Sequence, residues 1–319
     1  QRQMCIRDSF DAIAFITSLL ISTVQAGTIY LLATVGEIYA ERSGVINLGL
    51  EGMIIMGALT SFIVTFYTGD YLLAVLLAVL AGLLMSLLHA FISISLKVNQ
   101  YVSGIALTIL GLGLSGFLGR PLTGMTVEKV HEIPIPVLSD IPVVGPAFFK
   151  QNVFVYISYV VAILGWYVLF KTRIGLNIRS VGENPSMADS LGVNVTLIRC
   201  GATLFGGALA GLAGAYFFIG YQPFWVEGMT AGRGWISIAL VIFAAWSPLR
   251  AIAGAYLFGG VEALQFRMQA FGYGTATPQF MLMLPYTLTI AVLIMLSHHS
   301  IRKRIGVPAA LGIPYSREE

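Results

Sequence analysis

Polar residues that could do chemistry are concentrated in one stretch, residues 36–57, GEIYAERSGVINLGLEGMIIMG. Glu37, Glu41, Arg42, Asn47 and Glu51 lie there between two long apolar runs, punctuated by Gly36, Gly44, Gly49, Gly52 and Gly57. Glycine weakens helices and ionisable groups are expensive in hydrocarbon, so this density marks backbone broken at membrane depth. A bilayer tolerates such a break only where protein or a watery cavity satisfies the freed amides. The competing reading is a surface loop with a frayed helix start. Asn47 and Glu51, four residues apart, share one face if 45–67 is helical there. Elsewhere, Asn99, Gln100 and Tyr101 open another apolar run, and Glu262, Gln265 and Arg267 end a further one. Amides and carboxylates facing a path can hydrogen-bond a polyhydroxylated or heterocyclic solute, and Tyr101, Trp225 and Trp235 can stack on it. For the two tryptophans an interfacial aromatic belt is the simpler reading. Glu51 alone is a weak sign of proton coupling, because a carboxylate near a helix start also partners the helix dipole.

Other chemistries find no footing. A phosphate-cradling loop needs a Gly-Lys pair, and the chain has none. His298 and His299 are adjacent, so on a helix they diverge by about 100° and do not share a metal as an i, i+4 pair does. His89 and His131 stand apart from Cys or acidic pairs at ligand spacing, and no G-x-S-x-G elbow occurs. Cys5 and Cys200 support neither a disulfide framework nor a thiolate site. No metal, cofactor or catalytic group is implied.

These residues sit in a chain of 319 residues that is 57% hydrophobic and 10% charged, with a mean hydropathy of +0.85. Soluble domains carry about 25% charged residues, so the composition predicts an all-α polytopic membrane bundle. A formal charge of +3 does not indicate a nucleic-acid partner. Residues 1–9, QRQMCIRDS, read as a non-native scar and are set aside.

Apolar runs occupy about 12–35, 45–67, 71–96, 99–119, 152–170, 199–219, 235–247, 251–266 and 280–297. That suggests eight to ten helices, some short or broken, over a membrane domain at 10–305. The short runs 235–247 and 251–266 flank Ser247-Pro248-Leu249-Arg250 and read as a tight hairpin, or as two tilted spans. The Lys/Arg bias places 171–199 and the 306–319 tail in the cytoplasm, with 120–150 and 220–234 outside. Proline at 121, 134, 136, 142 and 146 predicts a cap of turns and extended chain over 120–150. Gly207, Gly211 and Ala215, beside Gly206, Ala210 and Gly214, give helix 199–219 a small-residue face for close packing.

Within 171–199, Asn184 suits a helix cap, Pro185 the first helical position and Gly192 the stop. The expected product is a helix of about seven residues, Pro185–Leu191, with Met187 and Leu191 on one face; Asn194 caps the next. Such a helix is either a docking peg for a soluble partner or a surface helix closing the bundle.

In combination these segments carry a resemblance. ERSGVINLGLEGMIIMGA at 41–58, KVNQYVSGIALTILGLG at 97–113, GENPSMADSLGVNV at 182–195 and GMTAGRGWISIAL at 228–240 resemble ATP-binding-cassette importer permeases of the branched-chain amino acid and ribose type, in their nucleoside and simple-sugar subgroup. The likeness covers about residues 10–305. It implies a multi-pass subunit of a bacterial inner membrane, not itself an enzyme. It also implies three partners: a separate ATPase subunit, a second related permease and an extracytoplasmic substrate-binding protein. Gly182, Glu183, Asn184, Pro185, Ala188 and Gly192 match the family's coupling loop, to which Met187 and Leu191 add the exposed face. Gly44, Asn47, Gly49, Glu51 and Gly52 match its first signature and, with Asn99, Gln100 and Tyr101, are the expected path residues. A secondary sugar or nucleoside carrier, working without an ATPase, is the competing expectation.

Overall fold

The computed structural model describes residues 12–270, 283–297 and 306–316. Residues 1–9, His298, His299 and the basic residues Arg302, Lys303 and Arg304 lie outside that set. Leucine-, isoleucine- and alanine-rich runs uninterrupted by proline fold as helices that satisfy their own amides, as hydrocarbon demands. The first five are α1 (Ala12–Arg42), α2 (Leu50–Thr68), α3 (Tyr71–Ala90), α4 (Gln100–Gly119) and α5 (Val153–Lys171). Then come α6 (Arg173–Glu183), α7 (Pro185–Ser190) and α8 (Val195–Ala215), followed by α9 (Arg233–Phe243), α10 (Pro248–Ala270) and α11 (Leu284–Ser297). A π turn prolongs α3 over Phe91–Ser95 and α8 over Tyr216–Tyr221.

Six of these elements, at Ile13–Arg42, Leu50–Thr68, Tyr71–Ser95, Gln100–Leu122, Val153–Lys171 and Val195–Tyr221, are long and apolar enough to cross a bilayer. The protein is therefore an all-α, multi-pass membrane protein. The 235–247 run becomes the short α9, whereas 251–266 lies inside the 23-residue α10, with Pro248 at its first position. The pair is a hairpin of one half-span and one full-length helix.

One end of the bundle carries Lys171 and Arg173, with Arg179 and Arg250 both close enough to Arg42 to repel it; this is the basic end. The 120–150 segment lies at the other. There Ile133–Pro134 pairs antiparallel with Lys150–Gln151, Thr126 bridges Phe224, and a 3-10 turn spans Arg120–Leu122. Proline has broken this segment into turns and extended chain, as its sequence predicts.

The buried helix α8 lies at the centre. A methyl group built on Gly82 of α3 would sit 2.2 Å from the Gly207 carbonyl oxygen, and one on Gly214 2.2 Å from that of Ile54 in α2. Backbones this close exclude any side chain, which is what the small-residue face of α8 provides. Gly82→Ala is expected to destabilise the protein by about 1–3 kcal/mol through overpacking. Gly113→Ala, with open space around it, should leave it unchanged or slightly stabilised. Thermal unfolding in detergent checks both, and equal melting temperatures would refute the packing argument.

Candidate functional site

Two non-helical segments enter the bundle from opposite ends. The first is 43–49. Helix α1 continues unbroken through Gly36 to Arg42, so the break begins later than the glycine spacing suggests. Gly36 instead marks the crossing with Gly206 of α8. Several polar groups of the break are satisfied by side chains of the surrounding helices. Ile46 N–H donates to Gln100 Oε1 at 2.8 Å, Asn47 N–H to Glu37 Oε1 at 2.9 Å, and Thr108 Oγ1 to the Leu48 carbonyl at 2.8 Å. His89 Nε2 donates to the Ile46 carbonyl at 3.0 Å. Since α4 starts at Gln100, Thr108 stands about 12 Å along it at 1.5 Å per residue, well inside the bilayer. Residues 45–49 are not helical, so Asn47 and Glu51 do not share a helical face. Asn47 Oδ1 instead accepts the Gly49 amide at 3.0 Å and turns the chain into α2.

The second segment is 222–232. It leaves α8 at the end opposite the basic one, where Phe224 meets Thr126, and descends until α9 begins. The 220–234 stretch is thus only partly an outer connector. Helix α9 has 11 residues, about 16 Å, half the hydrocarbon thickness. Glu51, in the first turn of α2 just after the first segment, ties that turn to the second segment and the start of α9. Its Oε1 accepts from Thr230 Oγ1 at 2.6 Å and the Gly232 amide at 2.9 Å, and its Oε2 accepts from the Gly234 amide at 2.6 Å. A carboxylate facing the N-terminal amides of a helix satisfies groups left without intrahelical partners and meets the positive end of the dipole. Glu51 is 3% exposed. Trp225, within the descending segment, is fully buried and stacks on Phe62 at 5.9 Å. It belongs to the core and not to an interfacial belt, because the segment carrying it turns inward.

At the basic end, Glu41 and Arg42 grip the turn after α9. Glu41 Oε2 accepts from Trp246 Nε1 at 2.6 Å, and Arg42 donates to the Trp246 and Ala245 carbonyls at 3.1 and 3.4 Å. Ala245 and Trp246 both have positive φ, a conformation that non-glycine residues hold only when their surroundings impose it.

Beside the start of α9 lies a cavity of about 350 Å³, with Tyr30, Arg233, Glu262, Gln265 and Tyr286 on its walls. Arg233 forms a salt bridge with Glu262, whose second oxygen accepts from Tyr30 at 2.6 Å. The guanidinium also donates to the Met229 and Thr230 carbonyls and lies 4.7 Å from the Phe217 ring centre. Glu262 is legible in the sequence as a polar residue ending an apolar run, but its partner Arg233 is not among the residues singled out there. The available signal was a lone cation inside the apolar 228–240 stretch.

Helix α7 forms as its capping residues dictate. Asn184 Oδ1 accepts the Met187 amide at 3.0 Å, Pro185 occupies the first helical position, and Gly192 has φ +84°. The helix ends at Ser190, one residue early, with Leu191 as its cap. Ala188 is 2% exposed and seats α7, with Val181 and Val195, in a small apolar patch. Met187 and Leu191 are 61% and 79% exposed. Gly182 is buried, and Glu183 is exposed.

The structure gathers Gly44, Asn47, Gly49, Glu51, Gly52 and Gln100 around the first break. Asn99 caps α4 by accepting the Tyr101 amide, and Tyr101 stands at the basic end beside Gly312. None of these lines the cavity at Arg233. Among the described residues no group of three His, Cys, Asp or Glu side chains is placed to hold a metal ion.

The profile of the branched-chain amino acid transport system permease component matches residues 19–293. The chain belongs to this permease family. Several individual permeases are similar over nearly their whole length. A putative glucose ABC transporter permease, TsgC13 of Haloferax volcanii, is 41% identical over 96% of this chain and 99% of its own. The guanosine ABC transporter permease NupQ of Bacillus subtilis is 34% identical over 96% and 98%. The nucleoside ABC transporter permease NupC of Lactococcus lactis is 35% identical over 90% and 92%. No solved structure matches.

Proposed function

We propose that this permease is the transmembrane subunit of an ATP-driven importer for nucleosides or simple sugars. The observation that carries the reading is the peg α7, seated by Ala188 and presenting Met187 and Leu191 outward at the basic end, which the charge rule puts in the cytoplasm. A separate ATPase subunit grips this face. A second permease completes the path, and a substrate-binding protein delivers solute at the 120–150 end. Closure of the ATPase pair pushes the peg, and the two broken segments rearrange around Glu51 to expose the path alternately to each side. Solute hydroxyls meet the polar wall of the Arg233 cavity. The four buried carboxylates described, Glu37, Glu41, Glu51 and Glu262, each accept a hydrogen bond that fixes a turn, a half-helix or an ion pair. That use supports a passive gate over an ion-coupled carrier. The substrate class rests on the glucose and nucleoside relatives.

A Met187→Ser/Leu191→Ser variant is expected to lose ATPase association by at least about a hundredfold, since each apolar side chain buried in a partner contributes about 1.5–3 kcal/mol. Solute uptake should fall with it, while membrane insertion is unchanged. Pull-down with the ATPase and uptake into proteoliposomes measure the two, and association equal to wild type would overturn the docking role.

A further inference from the structure

The segment 306–316 lies beyond the stretch that the family profile matches, yet it docks at the basic end, with Pro308 and Ala310 buried. It bonds to two separate parts of the machinery. Toward the peg, Ala310 N–H donates to the Gly182 carbonyl at 2.9 Å and Tyr315 Oη to Asp189 Oδ2 at 3.1 Å. Toward the first break, Gly312 N–H donates to the Gly44 carbonyl at 3.1 Å. Arg199, itself 2% exposed, holds both sides: Nε donates to the Ser43 carbonyl at 3.2 Å and Nη1 to that of Ile313 at 3.0 Å.

We infer that 306–316 is a strap transmitting displacement of the coupling peg to the 43–49 break, with Tyr315 and Arg199 as its positioning residues. The peg is fixed to the bundle by a small cluster, Val181, Ala188 and Val195, against which Tyr315 also packs. A push on α7 therefore meets little resistance from the core. It must either break the bond at Asp189 or carry the strap along. Once the strap moves, its bond to the Gly44 carbonyl pulls on the residue where the break begins. Gly44 has φ +94°, so the chain can pivot there with little steric resistance. Peg and break are thereby two ends of one hydrogen-bonded lever, and two sites coupled through a shared two-state element influence each other reciprocally.

The inference rests on the ATP-driven reading, and the experiment separates the two. The permease is reconstituted in proteoliposomes with its ATPase and binding-protein partners, and solute transported per ATP hydrolysed is measured. Wild type must transport on ATP; if it does not, the proposed function fails before the strap is tested. Tyr315→Phe is expected to keep ATPase association and basal hydrolysis while solute moved per ATP falls about fivefold, the factor corresponding to one lost hydrogen bond. In a background with Cys5 and Cys200 replaced by serine, Asp189→Cys/Tyr315→Cys should be equally uncoupled. Bridging the two thiols with a short bifunctional reagent should restore the ratio. An unchanged ratio in Tyr315→Phe, or no recovery on bridging, overturns the strap. Loss of ATPase association in step with transport overturns it too, because the segment would then merely hold the peg in place.

Discussion

Glu51→Ala is expected to leave the permease unable to hold its half-helix, with loss of transport and a large fall in thermal stability. One carboxylate satisfies Thr230 Oγ1 and the amides of Gly232 and Gly234 in a site almost closed to solvent. Truncation strands all three donors, and each orphaned buried group costs about 1–3 kcal/mol. That sum is comparable with the 5–15 kcal/mol that typically separates folded from unfolded protein. Glu51→Gln keeps the shape and one acceptor oxygen but gives up the charge, and hydrogen bonds to an ionised acceptor are roughly twice as strong. Its amide group also faces a backbone donor with another donor. Glutamine should therefore fall between wild type and alanine in melting temperature. Because the bonds tie the first turn of α2 to the 222–232 segment and the start of α9, hydrogen exchange in Glu51→Ala should rise first at 230–236, while the α3–α8 contact stays protected. A variant that melts like wild type would show that the two segments are held by something else.

Those two segments show how far the sequence could be read. Apolar length located the six full spans found among the described residues, because hydrocarbon leaves a helix little choice of length or composition. Helix α7 was legible almost to the residue, since Asn184, Pro185 and Gly192 act locally. The first break was legible in kind but misplaced: Gly36 reads as a helix breaker, whereas here it is the contact that lets α1 cross α8 at Gly206. A glycine's role depends on what approaches it, which one chain read in order does not reveal. The same limit hid the partners of Glu51 and Arg233. The residues Glu51 meets lie about 180 positions away, and only folding brings a half-helix N-terminus to that carboxylate. Trp225 misled for a related reason. Its sequence neighbours suit an interface, but the descending chain carries it to Phe62.

The buried pair of Arg233 and Glu262 gives the other large effect. Arg233→Met alone leaves the Glu262 carboxylate with Tyr30 as its main donor, and Glu262→Met alone leaves the guanidinium with two carbonyls and a phenyl ring. Breaking a buried pair from one side costs about 3–5 kcal/mol, because an uncompensated charge stays in a low-dielectric site. Replacing both partners by apolar residues of similar length is often neutral or stabilising. Arg233→Met/Glu262→Met should accordingly melt close to wild type, and the cycle should show strong positive coupling instead of additivity. The double variant then isolates function from folding. Its cavity keeps Tyr30, Gln265 and Tyr286 but loses its charges, so a folded, ATPase-associated permease should transport far more slowly than wild type. If transport persists undiminished, the pair serves only to lock α9 to α10, and solute takes another route. If the single losses add in the double variant, the two charges do not stabilise one another, and the cavity wall needs a different electrostatic account.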